Sequence, residues 1–177
     1  MPGAAIDAEG MTPALVTGSL EIDLGSGDFT SGPSPDGITR YALTGETARA
    51  EMSDPRLNGS VTVDWTQDQY AAADIPDLEG LDAYFVREPG GAVLKWGTLR
   101  IENDTGEWEG TVLETLDVTA EVLPSGGLNV GVVELVGAGA YDGLSAVLFM
   151  RDSNVDETDY TVSWNGIIFP GNLPPDR

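Results

Sequence analysis

Short runs of alternating apolar and polar side chains, each cut off by Gly, Pro, Asn or Asp, commit this chain to β structure. Val61, Val63 and Trp65 alternate with Thr62 and Asp64, and Val162 and Trp164 alternate with Thr161 and Ser163. Period-two spacing puts one set of side chains on a buried face and the other in solvent. Trp108, Gly110 and Val112 share one face of a further run, with Glu107 and Glu109 on the other. Strands are expected near 15–24, 39–52, 59–65, 83–87, 93–102, 107–113, 116–123, 128–136, 144–151 and 160–169. Glu88-Pro89-Gly90-Gly91, Asn103-Asp104-Thr105-Gly106 and Pro124-Ser125-Gly126-Gly127 carry hairpin-turn chemistry, in which Gly supplies positive φ.

No long window shows apolar residues three and four apart. The best helix candidate, Thr66–Ala73, is short and lacks an apolar stripe. Segments 1–13, 25–37 and 170–177 are rich in Gly, Pro, Ser and Asp and are expected to be loose. With 177 residues the chain is the size of one domain with a real core. The expected fold is all-β: a single antiparallel β-barrel of about eight strands. It would span 14–171, with a flexible N-terminal segment 1–13 and a tail 172–177. A β-sandwich is the alternative. Twenty-three glycines favour the barrel, where they permit sharp bends and close backbone approach.

Thirty acidic residues stand against eight basic ones, and Lys95 is the one lysine. A net charge of −22 repels nucleic-acid phosphates and anionic lipid surfaces, so neither is an expected partner. No apolar run approaches the roughly 20 residues that cross a bilayer, so membrane insertion is not expected. Met1–Asp7 has neither a basic nor an apolar leader region, so no secretory signal is expected in the chain. The compartment stays open between the cytoplasm and secretion with a signal already removed. The chain has no Cys and no His. That excludes disulfides, thiol nucleophiles, imidazole bases and the usual zinc sites, and no cofactor is expected.

Val136-Gly137-Ala138-Gly139-Ala140-Tyr141-Asp142-Gly143-Leu144-Ser145-Ala146 resembles the G-x-G-x-[YF]-x-G-[LV] signature of the allene oxide cyclase-like barrels. That group includes plant allene oxide cyclases, dirigent proteins and bacterial cyclases that form spirotetronates. In such a turn the glycines allow a tight bend and the aromatic plugs one end of a barrel. Met52-Ser53-Asp54-Pro55-Arg56-Leu57-Asn58-Gly59, Arg100–Asp104, Glu107–Thr111 and Trp164–Gly171 are similar to motifs of uncharacterised bacterial proteins. The resemblance implies a barrel that encloses an apolar substrate and holds it in a reactive shape, which requires neither His nor Cys. No catalytic residue carries over.

Trp65, Trp96, Trp108, Tyr141 and Trp164 are the candidate ligand-lining residues, and their other reading is plain core. Asp152, Asn154 and Asp156 have the i, i+2, i+4 oxygen spacing that opens a calcium loop, with Asp159 nearby. Glu157 stands where such a loop needs Gly, so a solvated acidic hairpin is the other reading. The carboxylates Glu102, Asp104, Glu107 and Glu109 flank one turn, and sequence cannot supply the spacing that glycoside hydrolysis requires. Lys95 is either a buried amine or a strand lysine reaching solvent or a carboxylate. Gly137–Gly143 is no phosphate loop, since a strand and not a helix follows it. Two functions remain: a barrel binding or shaping a small apolar molecule, or a non-catalytic surface interaction module with an acidic, calcium-binding loop.

Overall fold

The computed structural model describes residues 12–23, 26–33, 38–70, 92–117, 128–155 and 159–174. Within them the chain forms β1 (Ala14–Asp23), β2 (Asp28–Pro33), β3 (Thr39–Met52), β4 (Gly59–Tyr70), β5 (Ala92–Glu102), β6 (Gly106–Asp117), β7 (Leu128–Gly139), β8 (Leu144–Val155) and β9 (Asp159–Pro170). One 3-10 turn, Pro55–Leu57, joins β3 to β4. Every pairing is antiparallel, in the order β1-β9-β8-β7-β6-β5-β4-β3-β2, and β1 also pairs with β3. That last ladder closes eight strands into a barrel and leaves β2 as an extra strand outside the closure. The fold is therefore the expected antiparallel barrel and not a sandwich. β3 is shared: residues 39–44 pair with β2, and residues 48–52 pair with β1.

Three expectations need correction. Segment 25–37 was expected to be loose, yet Asp28–Pro33 pairs residue by residue with Thr44–Thr39. An edge strand has one free side, so it tolerates the Gly and Pro that disguised it. Thr66–Ala73 is not a helix where it is described, because residues 66–70 continue β4. There, Thr66 lies between Ala42 and Trp96, and ladders on both sides outweigh local propensity. The strands expected at 107–113 and from 116 are one strand, β6, through Asp117. The strand at 83–87 and the turns at 88–91 and 124–127 lie outside the described residues.

The barrel interior is filled by a simple rule. Each inward tryptophan faces a glycine across a ladder: Trp65 opposite Gly97, Trp108 opposite Gly137 and Trp164 opposite Gly18. A Cβ on Gly97 would sit 1.9 Å from the Asp64 carbonyl oxygen, and one on Gly18 would sit 2.2 Å from that of Glu51. The glycines let adjacent strands coil tightly while the indoles fill the space. Around them Val61, Leu99, Ile101, Val133, Leu135 and Leu148 complete a buried core.

Gly97→Ala should therefore force β4 and β5 apart. The expected loss is about 1–3 kcal/mol, or roughly 3–10 °C of melting temperature. Gly32→Ala, which meets nothing within 4 Å, should stay within about 0.5 kcal/mol of the parent. Thermal unfolding of both variants checks the rule, and equal melting temperatures would refute it.

Candidate functional site

The two ends of the barrel differ in chemistry. One is sealed. The turn between β7 and β8 places Gly139 at φ 68° and Gly143 at φ 83°, conformations that cost an L-side chain but not Gly. Tyr141 thereby tucks in, buried, and stacks on Trp108 with ring centroids 5.3 Å apart. The Tyr141 hydroxyl donates to Asn103 Oδ1 at 2.8 Å, and Trp108 Nε1 donates to the Arg56 carbonyl at 2.8 Å. Asn103 Oδ1 also accepts from the amides of Thr105 and Gly106, which shapes the β5–β6 hairpin. Leu57 is fully buried beneath the 3-10 turn. Arg56 donates from Nε and Nη2 to both Asp54 oxygens, and this holds the Asp54 carboxyl below its ordinary value against the opposing effect of burial.

The other end carries charge inside the wall. Lys95 and Glu114 are register partners on β5 and β6. They form an ion pair of 3.2 Å with side chains only 12% and 7% exposed. Lys95 Nζ lies 4.5 Å from the centre of the Trp65 ring. Trp65 Nε1 donates to Glu46 Oε2 at 2.8 Å. Glu46 is itself buried, and that burial pushes its carboxyl above the ordinary 4.5, reinforced by Glu114 and opposed by Lys95 and Trp65.

Glu46 faces inward because of one extra residue. Between Leu43 and Glu46 the register slips: Leu43 pairs with Trp65, and Glu46 pairs with Val63. This β-bulge inverts the facing of everything after it. Gly45 takes φ 73° at the bulge, and its amide donates to Asp64 Oδ1 at 2.7 Å.

Beside these groups lies a void of about 20 Å³, lined among others by Glu46, Lys95, Glu114, Met150 and Trp164. Trp164 Nε1 is buried and has no hydrogen-bond partner. An orphaned donor of this kind costs about 1–3 kcal/mol. The space suits a single oxygen atom.

The five aromatic candidates thus fall in three places. Trp65 and Trp164 border the charged end, and Trp108 and Tyr141 belong to the sealed one. Trp96 is on the outer face beneath Arg40, whose guanidinium stands 5.3 Å from its ring and is ion-paired with buried Asp68. Asp152 and Asn154 are in β8, where the register slips between Met150 and Ser153, and Asp159 begins β9. Asp156 lies outside the described residues, as do the side chains of the other three. Among the described residues, no group of three or more acidic side chains is arranged to hold a metal ion. Glu46 and Glu114 were missed as candidates. Glu114 was findable, since it shares the parity of buried Val112 on β6, as Lys95 shares that of Leu99 on β5. Glu46 was findable in the same way, since it shares the parity of buried Ala50 and Met52 on β3, and the bulge shifts it only relative to Leu43. Compared with known protein families, curated proteins and solved structures, the chain has no match in any of the three.

Two outcomes follow from this geometry. Folded protein holds the Glu46 proton to higher pH than unfolded chain, so Glu46's contribution to stability declines as pH rises from 4.5 through the folded value. The melting temperature of Glu46→Gln minus that of the parent should therefore grow across this window and then level off. A difference independent of pH would sink the assignment. Lys95→Met should cost about 3–5 kcal/mol by stranding Glu114, and Lys95→Met with Glu114→Gln should recover most of it. A chemical-denaturation double-mutant cycle measures this, and additive losses would mean the pair is not coupled.

Proposed function

We propose that this chain is a small-molecule-binding barrel, allene oxide cyclase-like in architecture, that holds a neutral, largely apolar molecule at its charged end and shapes it there. The observation carrying this reading is the Glu46–Lys95–Glu114 cluster inside the wall. A barrel of this size fills with apolar side chains alone, and burying three ionisable groups weakens a purely structural core. Buried charged clusters holding a group raised by burial, as Glu46 is, concentrate at functional sites.

Neutrality of the ligand follows from charge. Glu114 already balances Lys95, and a net charge of −22 disfavours anions, nucleic acids and anionic lipid surfaces. Conformational shaping draws on enclosure and orientation. Glu46, with its raised pKa, is the group suited to exchanging a proton with a bound molecule.

One observation favours the second reading, a non-catalytic interaction module. Trp96, Leu113, Val132 and Phe149 form a single cross-strand row on the outer face. Leu113 is 50% exposed and Phe149 49%. No described helix is long and apolar enough to cross a membrane.

Titration with N-phenyl-1-naphthylamine, a neutral apolar dye, separates the two readings. Saturable one-to-one binding should be weakened at least about tenfold in Trp65→Leu, a loss of 1.4 kcal/mol, and unchanged in Phe149→Ser. Circular dichroism confirms that both variants fold. Sensitivity in Phe149→Ser alone would transfer the function to the outer face, and no saturable binding would end the ligand reading.

A further inference from the structure

We propose that the outer face of β7 is a docking surface for a partner protein, which lays along it an amphipathic helix carrying one basic residue in its apolar face. This surface lies on the outer wall and is separate from the cluster inside the barrel.

β7 is apolar on both faces. Val133 and Leu135 are fully buried in the core, while Val130, Val132 and Val136 point outward. Strands of this composition are ordinarily covered on both sides. Here one side is open: Val130 is 41% exposed and Val136 49%. The register extends the patch to both neighbouring strands, since Val132 lies between Leu113 and Phe149, and Glu134 lies opposite Val147. From Val130 to Val136 the strand rises about 20 Å, the length of a helix of about 14 residues. On the convex wall of a barrel a straight helix keeps more contact along a strand than across several. An open apolar surface suits a protein, because a small molecule needs an enclosing pocket.

One charge sits in the middle of the patch and specifies the partner. Glu134 is half-buried and flanked on its own strand face by Val132 and Val136. Among the described residues its carboxylate has no hydrogen-bond or ion-pair partner. Glu109 stands opposite Val136 at the rim, where its side chain is 66% exposed. An apolar cover without a cation would leave Glu134 desolvated and unpaired, a penalty that opposes docking. An arginine or lysine set among the partner's apolar groups removes that penalty. A second copy of this chain does not meet the requirement. In a two-fold contact the patch faces itself, so each Glu134 stays unpaired, and two net charges of −22 repel.

Two hydrocarbon-stapled helical peptides of about 14 residues test the inference. Both have a leucine face. One carries a central arginine there, and the other carries citrulline, which has nearly the same shape and no charge. Each is titrated into isotope-labelled protein while the valine and leucine methyl signals are followed by NMR. The arginine peptide should bind saturably and move the signals of Leu113, Val132 and Val136. It should bind at least about tenfold tighter than the citrulline peptide, the range for a hydrogen bond to a charged group. Glu134→Gln should abolish that preference. Glu21→Gln, which removes an equal charge from an exposed position on β1, should keep it. Phe149→Ser should weaken both peptides at least about fivefold. A preference that survives Glu134→Gln, or falls equally in Glu21→Gln, would reduce the effect to net charge and overturn the proposal. Absence of saturable binding by the arginine peptide would overturn it as well. Self-association in sedimentation that Phe149→Ser abolishes would assign the face to a second copy. Contacts of the Val132 or Val136 methyls with Tyr84 or Phe85 in the free protein would assign it to the chain's own segment 71–91. Either of these findings would also overturn the partner helix.

Discussion

Closing an eight-stranded sheet on itself leaves a narrow interior, and each of the three inward indoles has a glycine as its cross-strand partner. That steric complement underlies the rest of the structure. Trp65–Gly97, Trp108–Gly137 and Trp164–Gly18 each set one large group against one absent side chain. Adjacent strands approach more closely than a Cβ would permit, which tightens the coil and allows β1 to reach β3 and close the ladder. The same pairs also assign the tryptophans their separate tasks. Trp108 helps to seal one end, while Trp65 and Trp164 face the charged one.

The contrast between the ends has a single geometric cause on each side. At the sealed end, two left-handed glycines fold Tyr141 against Trp108, and Asn103 and the Arg56 carbonyl satisfy both polar tips. Aromatic groups with a polar atom suit such a place, since the ring is buried and the tip is bonded. At the charged end, a bulge at Gly45 turns Glu46 inward to meet Trp65, in reach of the fields of Lys95 and Glu114. The polar groups there are incompletely matched, and Trp164 Nε1 is the remainder.

Charge is divided with similar consistency. Arg100 on the outer surface lies among Glu102, Glu107 and Glu109, an exposed arrangement that adds little to stability. The one lysine, by contrast, is spent inside the barrel beside two carboxylates. An acidic exterior of this kind repels anions. The exposed row through Leu113 and Phe149 interrupts that exterior.

Much of this was legible in the sequence. Period-two alternation at Val61–Trp65 and Thr161–Trp164, with turn residues between runs, determined an antiparallel all-β fold, because a strand has to present one apolar face. Parity likewise determined that Lys95 shares a face with Leu99, and the absence of His and Cys determined which chemistry is closed to the chain. The tertiary structure alone decided three things. It recruited Asp28–Pro33 as a strand, since an edge partner can override an unpromising composition. It separated five similar aromatics into a sealed end, a charged end and an outer face, because alternation reports which side of a sheet a residue faces and not how far along the barrel it lies. And it put Leu43 and Glu46 on one inward face despite their odd spacing, because a one-residue bulge depends on the register of the neighbouring strand, which no local pattern encodes.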